Sequence, residues 1–434
     1  MKKLGLLAIV TLIYMAGSAN AQWKFVKCFP DTNYKGDGHG IAVSPDGKVW
    51  TQRYDAFDSI KVGSSYKHVR GIHVYNADGS EASFSPITIY SGPGIQDTNY
   101  NSARGLKTDL YNGNILASSY NTVYELDYKT GAAVHKYTPP DSSTLTACPT
   151  DTMGDVFLGK VLPGNPMQII DNTFSFVGNW TDTSLGYSRT LEVSKDGSTV
   201  YWCGYSNNAV YVYYSANGTF GPYTIIDTVA KGIQSESSGW QPGTGYLWLS
   251  TSYAVNGYPG ANTSYSIDTW YAFDTKTWTV KDSIKWNWTQ GYPYSSTDQL
   301  NGHPRGIAFS PTGDTAYVTM FNISGPAFQM FVKTATPVNE KPDNVPSSYS
   351  LSQNYPNPFN PSTRIDYALK ETGKVSIIVY DVLGREVTTL VDGVQSAGQH
   401  SVTFNANNLP SGVYIYSLTT PDGSRLVKKM ILMK

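Results

Sequence analysis

Charge is scarce in this 434-residue sequence. Only 15 % of residues are charged, and the signs nearly cancel, with 32 Lys plus Arg against 33 Asp plus Glu. The usual share is about a quarter. No global basic field exists to attract nucleic acid, and no basic strip interleaves with the aromatic residues. Cysteine is scarcer still: Cys28, Cys148 and Cys203. An odd number permits at most one intramolecular bridge, and the spacing suits neither a zinc site nor a C-x-x-C-H haem motif. Small hydrophobes buried on strands are the expected role. Glu, Lys, Ala and Leu are too few for a helical bundle or coiled coil. No G-x-S-x-G elbow, P-loop or G-x-G-x-x-G turn is found in a strand-to-helix context. What is plentiful is Tyr (33), Trp (10) and Gly (40). That composition, with apolar residues at 40 %, points to a secreted all-β chain with real cores rather than disorder.

The first segment reads as an address. Met1-Lys2-Lys3 is basic, Leu4 to Gly17 is apolar, and Ala19-Asn20-Ala21 offers a small-x-small cleavage pattern. A signal peptide over 1–21 is expected, with the mature chain starting at Gln22. The apolar run falls short of the ~20 residues a spanning helix needs. No Cys follows the cleavage site, and no transmembrane segment is expected in the mature chain.

From there one phrase recurs: an alternating strand, a tight turn, then a second strand. It reads His39-Gly-Ile-Ala-Val-Ser-Pro-Asp-Gly-Lys-Val-Trp50, then Arg104-Gly-Leu-Lys-Thr-Asp-Leu-Tyr-Asn-Gly-Asn-Ile-Leu116. It returns as Arg189-Thr-Leu-Glu-Val-Ser-Lys-Asp-Gly-Ser-Thr-Val-Tyr201 and as Arg305-Gly-Ile-Ala-Phe-Ser-Pro-Thr-Gly-Asp-Thr-Ala-Tyr317. Gly in these turns accepts the positive φ that a hairpin demands. Two further strands follow each copy, and weaker copies fill the gaps. Four-strand repeats at roughly 40–55 residues predict the blades of a propeller. Six blades are counted over 22–336, and the last lacks an outer strand. The N-terminal segment 23–29 alternates without a partner of its own and is predicted to complete that blade. The G-I-A-x-S-x-D-G phrasing resembles NHL and YVTN propellers, a resemblance that speaks to fold alone.

Residues 337–349 are polar and Pro-rich, as in an extended linker. Beyond them, 350–434 carries short alternating strands with Gly turns, including Gly384 and Gly412, which predict a small antiparallel sandwich. Four stretches stand out: Asn354-Tyr355-Pro356-Asn357-Pro358-Phe-Asn-Pro-Ser362, Val379-Tyr-Asp-Val-Leu-Gly-Arg385, Leu409-Pro-Ser-Gly-Val-Tyr414, and the basic end Lys428-Lys-Met-Ile-Leu-Met-Lys434. In order and to the last residue, they resemble the type A C-terminal sorting domain of the type IX (Por) secretion system. That resemblance implies a Bacteroidetes-like host, export to the periplasm, and passage across the outer membrane. The partners would be the translocon and sorting machinery, and the final location the cell surface or the extracellular space, usually with the sorting domain cleaved.

Site chemistry is thin. Aligned on the turn glycines, one position just before each first strand holds His39, Arg104, Thr146, Arg189, a residue at or beside Glu236, and Arg305. His303 lies beside the last. Three Arg and one His meeting at a channel mouth would suit an anionic or polyhydroxylated ligand, since guanidinium presents several donors in one plane. The alternative is that each Arg binds carbonyls of the neighbouring blade. Three long connections are predicted to form a crown on the same face, carrying Tyr66, Tyr258, Trp286, Trp288 and Tyr292. Exposed rings suit sugar or protein surfaces, and self-packing is the alternative. A lactonase-like metal centre would need carboxylates where these arginines stand, so no metal and no cofactor is expected. The expected function is a surface or released binding protein for a glycan, peptide or surface protein. A six-bladed hydrolase or lyase and a structural surface-layer component are the alternatives.

Overall fold

The computed structural model describes residues 23–183, 185–252, 265–334, 348–371, 373–395 and 398–433. The signal segment, linker residues 337–347, Tyr258 and Lys434 lie outside the described residues. Strands make up 52 % and helix 2 %, so the chain is all-β. It divides into two units, Met1–Thr336 and Pro337–Lys434.

Among the described residues the first unit holds six antiparallel sheets of three or four strands, and two two-stranded hairpins besides. The first pairs Gly38–Val43, Val49–Arg53 and Ile72–Tyr75. The second is a regular meander: Ala103–Thr108, Ile115–Ser119, Thr122–Leu126 and Ala133–Tyr137. The third has three strands, Val156–Phe157, Met167–Ile170 and Phe176–Thr181. Its inner segment joins only through the isolated bridges Leu145–Lys160 and Thr150–Val156. The fourth and fifth begin at Ser188–Val193 and Ser238–Trp240 and have four strands each. The sixth contains His303–Phe309, Thr315–Phe321 and Phe328–Lys333. Its fourth strand is Trp23–Cys28, which runs antiparallel to Phe328–Lys333 with Trp23 opposite Lys333.

The first strands touch in succession. Gly40 lies against Leu106, Gly105 against Ala147, Gly159 against Leu191, Gly239 against Ile307, and Gly306 against Ile41. Thr190 and Ser238 hydroxyls, 2.5 Å apart, join the fourth sheet to the fifth. The contacts therefore run from each sheet to the next and from the sixth back to the first. Missing side chains at these glycines let neighbouring backbones approach; a Cβ on Gly239 would stand 2.9 Å from the Ile307 carbonyl oxygen.

Buried tryptophans fill the space between sheets: Trp50, Trp180, Trp202, Trp248 and Trp270 are all under 2 % exposed. Each removes a large apolar area from water, of the order of 2–3 kcal/mol apiece. All three cysteines are buried and free, as small hydrophobes would be. The connection carrying Tyr66, one of the three long ones expected to form the crown, contains a hairpin of Asp58–Val62 with Ser65–Val69. Alternation in Asp58-Ser-Ile-Lys-Val62 and a Gly63 at φ +64° supply what that hairpin needs.

The second unit has two sheets. One pairs Ser350–Leu351, Ser362–Leu369 and Gly398–Asn405; the other orders Glu386–Gln395, Gly373–Tyr380, Gly412–Thr419 and Arg425–Leu432. Their inner faces meet over Ile365, Ile377, Val379, Tyr416 and Leu418, all buried. The Asn-Tyr-Pro segment is strapped to the last strand. The Phe359 N–H donates to the Ile431 carbonyl at 2.9 Å, and the Met433 N–H donates to the Phe359 carbonyl at 3.0 Å. Asn354 is buried and donates its amide to the Pro356 carbonyl and the Thr363 hydroxyl, at 3.0 and 2.9 Å. Asn357 accepts from the Ile431 N–H at 2.9 Å. Tyr355 points outward at 82 % exposure. Gly384 takes φ +77° in a turn closed on Asp381, Gly412 opens a strand, and Lys428 is exposed.

Candidate functional site: a ring of bulges

The aligned positions share a backbone device that composition does not reveal. In the first sheet Gly38 faces Arg53 and Gly40 faces Gln52, so His39 is an extra residue without a cross-strand partner. Arg104 occupies the same bulge between Ala103 and Gly105, Arg189 between Ser188 and Thr190, and Arg305 between Pro304 and Gly306. In the fifth sheet the N–H groups of Glu236 and Ser237 both donate to Ser250 Oγ, at 3.1 and 3.0 Å, which gives Glu236 the corresponding place just before the strand. A bulge bends a strand and re-aims a side chain. Four bulges thus turn four side chains toward one place, and Glu236 joins them there. His39, Arg104, Arg189, Glu236 and Arg305 line a single cavity of about 20 Å³. Thr146, the residue at this position in the third sheet, is buried and donates its hydroxyl to the Ala147 carbonyl instead.

A collar of aromatic rings surrounds these groups. His39 stacks on Tyr54 at 5.6 Å; Arg104 lies over Tyr54 and Tyr120 at 5.9 and 5.6 Å. Arg189 lies over Tyr205 at 5.9 Å and Arg305 over Phe321 at 4.7 Å. Each cation–π contact of this kind contributes roughly 0.5–2 kcal/mol, more where water is excluded. Sequence reasoning missed the collar. The signal was present, since each ring follows its partner by 15 or 16 positions at the end of the second strand.

The electrostatics are lopsided. Glu236 is 3 % exposed, with Arg305 Nε 2.7 Å from one oxygen and His303 Nδ1 3.1 Å from the other. Burial pushes its carboxyl upward, but the Arg305 charge and His303 outweigh burial and hold it at about 2. His303 is further fixed by Ser252 Oγ at 2.8 Å. Burial, then the charges of Arg305, Arg104 and Arg189, push His39 well below the ordinary histidine value, so this imidazole is neutral at pH 7. Burial likewise lowers Arg104 and Arg305 from their usual values. Among the described residues Nε of Arg104 and of Arg189 and Nδ1 of His39 are buried without a hydrogen-bond partner, whereas Arg305 Nε faces the Glu236 carboxylate. The alternative in which these arginines bind carbonyls of neighbouring sheets therefore finds no support at those nitrogens.

Below this ring Lys107 crosses the interior. Its ammonium pairs with Glu192 and donates to the Ser238 carbonyl at 2.7 Å, tying the second sheet to the fourth and fifth. A wider cavity of about 560 Å³ opens beyond, lined by apolar residues such as Phe309, Trp240 and Pro45.

The crown aromatics divide. Tyr66 is 72 % exposed on the Asp58–Val69 hairpin. Trp286 is 2 % exposed and packs edge-on against Trp288 and Tyr294, at 6.0 and 6.1 Å, and Tyr292 meets Tyr294 at 5.1 Å. Trp288 donates its indole N–H to Asp268 at 3.2 Å. This segment packs on itself, and Trp286 has no face left for a ligand.

Two solved structures illustrate the fold comparisons. A chain of the mitotic checkpoint complex aligns at 11 % identity with a TM-score of 0.44, covering 77 % of this chain and 98 % of that one. PorZ, described as an essential bacterial surface component of the type-IX secretion system of Porphyromonas gingivalis, aligns at 12 % identity with a TM-score of 0.36, covering 92 % and 60 %. The comparison with curated proteins returns no match. No helix among the described residues is long and apolar enough to cross a membrane. Residues 353–433 match the family described as the secretion system C-terminal sorting domain, and that match indicates export through the type IX machinery to the cell surface or the extracellular space.

Proposed function

We propose that the chain is a six-bladed β-propeller exported as cargo of the type IX system. It acts at the cell surface or after release, binding a glycan, peptide or surface protein on the face where the bulge ring opens. The observation that supports this reading most directly is the ring itself. Four side chains are turned toward one place by four strand bulges, Glu236 joins them there, and Nε of Arg104 and Arg189 and Nδ1 of His39 are left without a partner among the described residues. Native structures satisfy most buried polar groups, so a cluster of unused donors is a feature that asks for a partner. The Tyr54, Tyr120, Tyr205 and Phe321 collar adds flat rings at little entropic cost.

The test is a glycan array and a surface-protein pull-down with the unit of residues 22–336, repeated with Arg104→Ala, Arg189→Ala and Tyr205→Ala. Binding that falls at least tenfold in these variants, with melting temperature changed little, supports the reading. Silence in both assays, or binding indifferent to all three variants, removes it.

A further inference from the structure

Two positive charges at the ring have no counter-ion. Arg305 is neutralised by Glu236, and Lys107 by Glu192. Arg104 and Arg189 make no ion pair among the described residues, and Arg104 feels Arg189 as a neighbouring cation. Both are half-buried, and the Nε of each is buried without a hydrogen-bond partner among the described residues. His39 adds an imidazole only 7 % exposed that lines the same space and whose Nδ1 has no partner among the described residues. Desolvated like charges at close quarters are costly unless a charge of opposite sign is present.

Volume decides what that charge is. The space of about 20 Å³ exceeds the roughly 10–15 Å³ that one water-sized particle needs, and it suits one small group rather than a sugar ring. Ile41, Leu106 and Ile307 of the inner strands line the same space, and Lys107, tied to Glu192, stands among its walls. Guanidinium forks suit a spherical halide or the two oxygens of a carboxylate.

We infer that the ring formed by His39, Arg104, Arg189 and Arg305 is a binding site for one small univalent anion, a halide or a single carboxylate group. The anion completes the charge balance of the inner strands. It arrives either as a free ion or as the acidic tip of a larger ligand. Because the free ion suffices, the site stands whether or not this face binds a macromolecule.

The experiment is thermal unfolding of the full chain in sodium chloride against sodium isethionate at matched ionic strength and pH 7. Isethionate carries a sulfonate, which is neither a halide nor a carboxylate. The expected result is a saturable rise of several degrees in the melting temperature of the larger unit with chloride, reproduced by acetate and absent in isethionate. Arg189→Met abolishes the chloride increment. Glu236→Gln enlarges it, because removing the internal carboxylate raises the demand for an outside one; a purely structural role for Glu236 predicts no such gain. Line broadening of the chloride-35 resonance by the unaltered chain gives a second reading where a variant fails to fold. Displacement of that broadening by acetate alone identifies a free ion, and displacement by glucuronate as well identifies the carboxylate tip of a saccharide. Equal melting temperatures in chloride and isethionate, or a chloride increment that survives Arg189→Met, overturns the inference.

Discussion

Glu236 and Arg305 meet at 2.7 Å in the interior of the larger unit, each almost wholly removed from water, and they come from consecutive sheets. Breaking such a pair leaves a buried charge without compensation, at a cost of about 3–5 kcal/mol. Glu236→Gln is therefore expected to destabilise the unit by about 3 kcal/mol in urea at neutral pH. The sign with pH follows from a folded carboxyl held at about 2 against an ordinary 4.5. The contribution is present above pH 4.5 and is lost as pH falls toward 2. Urea midpoints of wild type and variant should converge across that window.

His73 stands between two carboxylates, with Nε2 3.1 Å from Asp58 and Nδ1 3.0 Å from Glu81, while Tyr34 and Tyr75 cover its ring. Burial disfavours its charged form, but the hydrogen bonds and charges of Asp58 and Glu81 prevail and raise it above the ordinary histidine value. The charged tie is complete below about pH 6.5 and is lost as pH rises through the raised value. The difference in melting temperature between wild type and His73→Gln should be largest near pH 6 and shrink toward pH 9. A difference that grows with pH contradicts the assignment.

Lys160 is wholly buried, and its ammonium pairs with Asp141, which is 28 % exposed at the side chain. Asp141→Asn leaves a buried cation without its counter-ion and is expected to cost about 3 kcal/mol. Lys160→Met removes the charge, keeps the volume, and is expected to be neutral or stabilising. Denaturant midpoints of the two variants should move in different directions or by clearly different amounts.

In the sorting unit, Asn354 and Tyr355 are neighbours with opposite roles. Asn354→Ala removes two buried side-chain hydrogen bonds and should lower the stability of that unit by about 2 kcal/mol. Tyr355→Ala touches an exposed ring and should change it by less than about 0.5 kcal/mol. Export assays read the contrast: loss of secretion in Tyr355→Ala without loss of stability would assign that ring to recognition by the export machinery.

Burial pushes the Cys148 and Cys203 thiols up to about 11 and about 12, and Cys28 is also raised and buried. Thiolate is the reactive form, so a disulfide reagent at pH 8 should label none of them in the folded chain and all three in denaturant.

The order of the sheets was legible because each begins with the same alternating phrase and turn glycine. The location of Arg104, Arg189 and Arg305 at one station followed from that alignment. The bulges were not legible as such. They are set by cross-strand pairing between segments about a dozen residues apart, although the small residue after each one (Gly40, Gly105, Thr190, Gly306) is a trace of them in the sequence. The third sheet also resisted reading, because its inner segment Leu145–Asp151 contains Pro149, which cannot donate to a ladder. Loop chemistry misled for Trp286: an aromatic in a long connection reads as a contact residue, yet its apolar area is better spent beneath Trp288 and Tyr294. In the sorting unit, motif and fold coincided, since Asn354 and Asn357 hold the strap onto the final strand.

The pairing of Trp23–Cys28 with Phe328–Lys333 couples residues some three hundred positions apart. A chain delivered in sequence order from its amino end holds this first strand in waiting until nearly the whole unit has emerged. The ring therefore latches late, after synthesis or passage rather than during it, and loop closure of that length makes the step slow. Until then the edge of Phe328–Lys333 stays unpaired and open to capture by another strand.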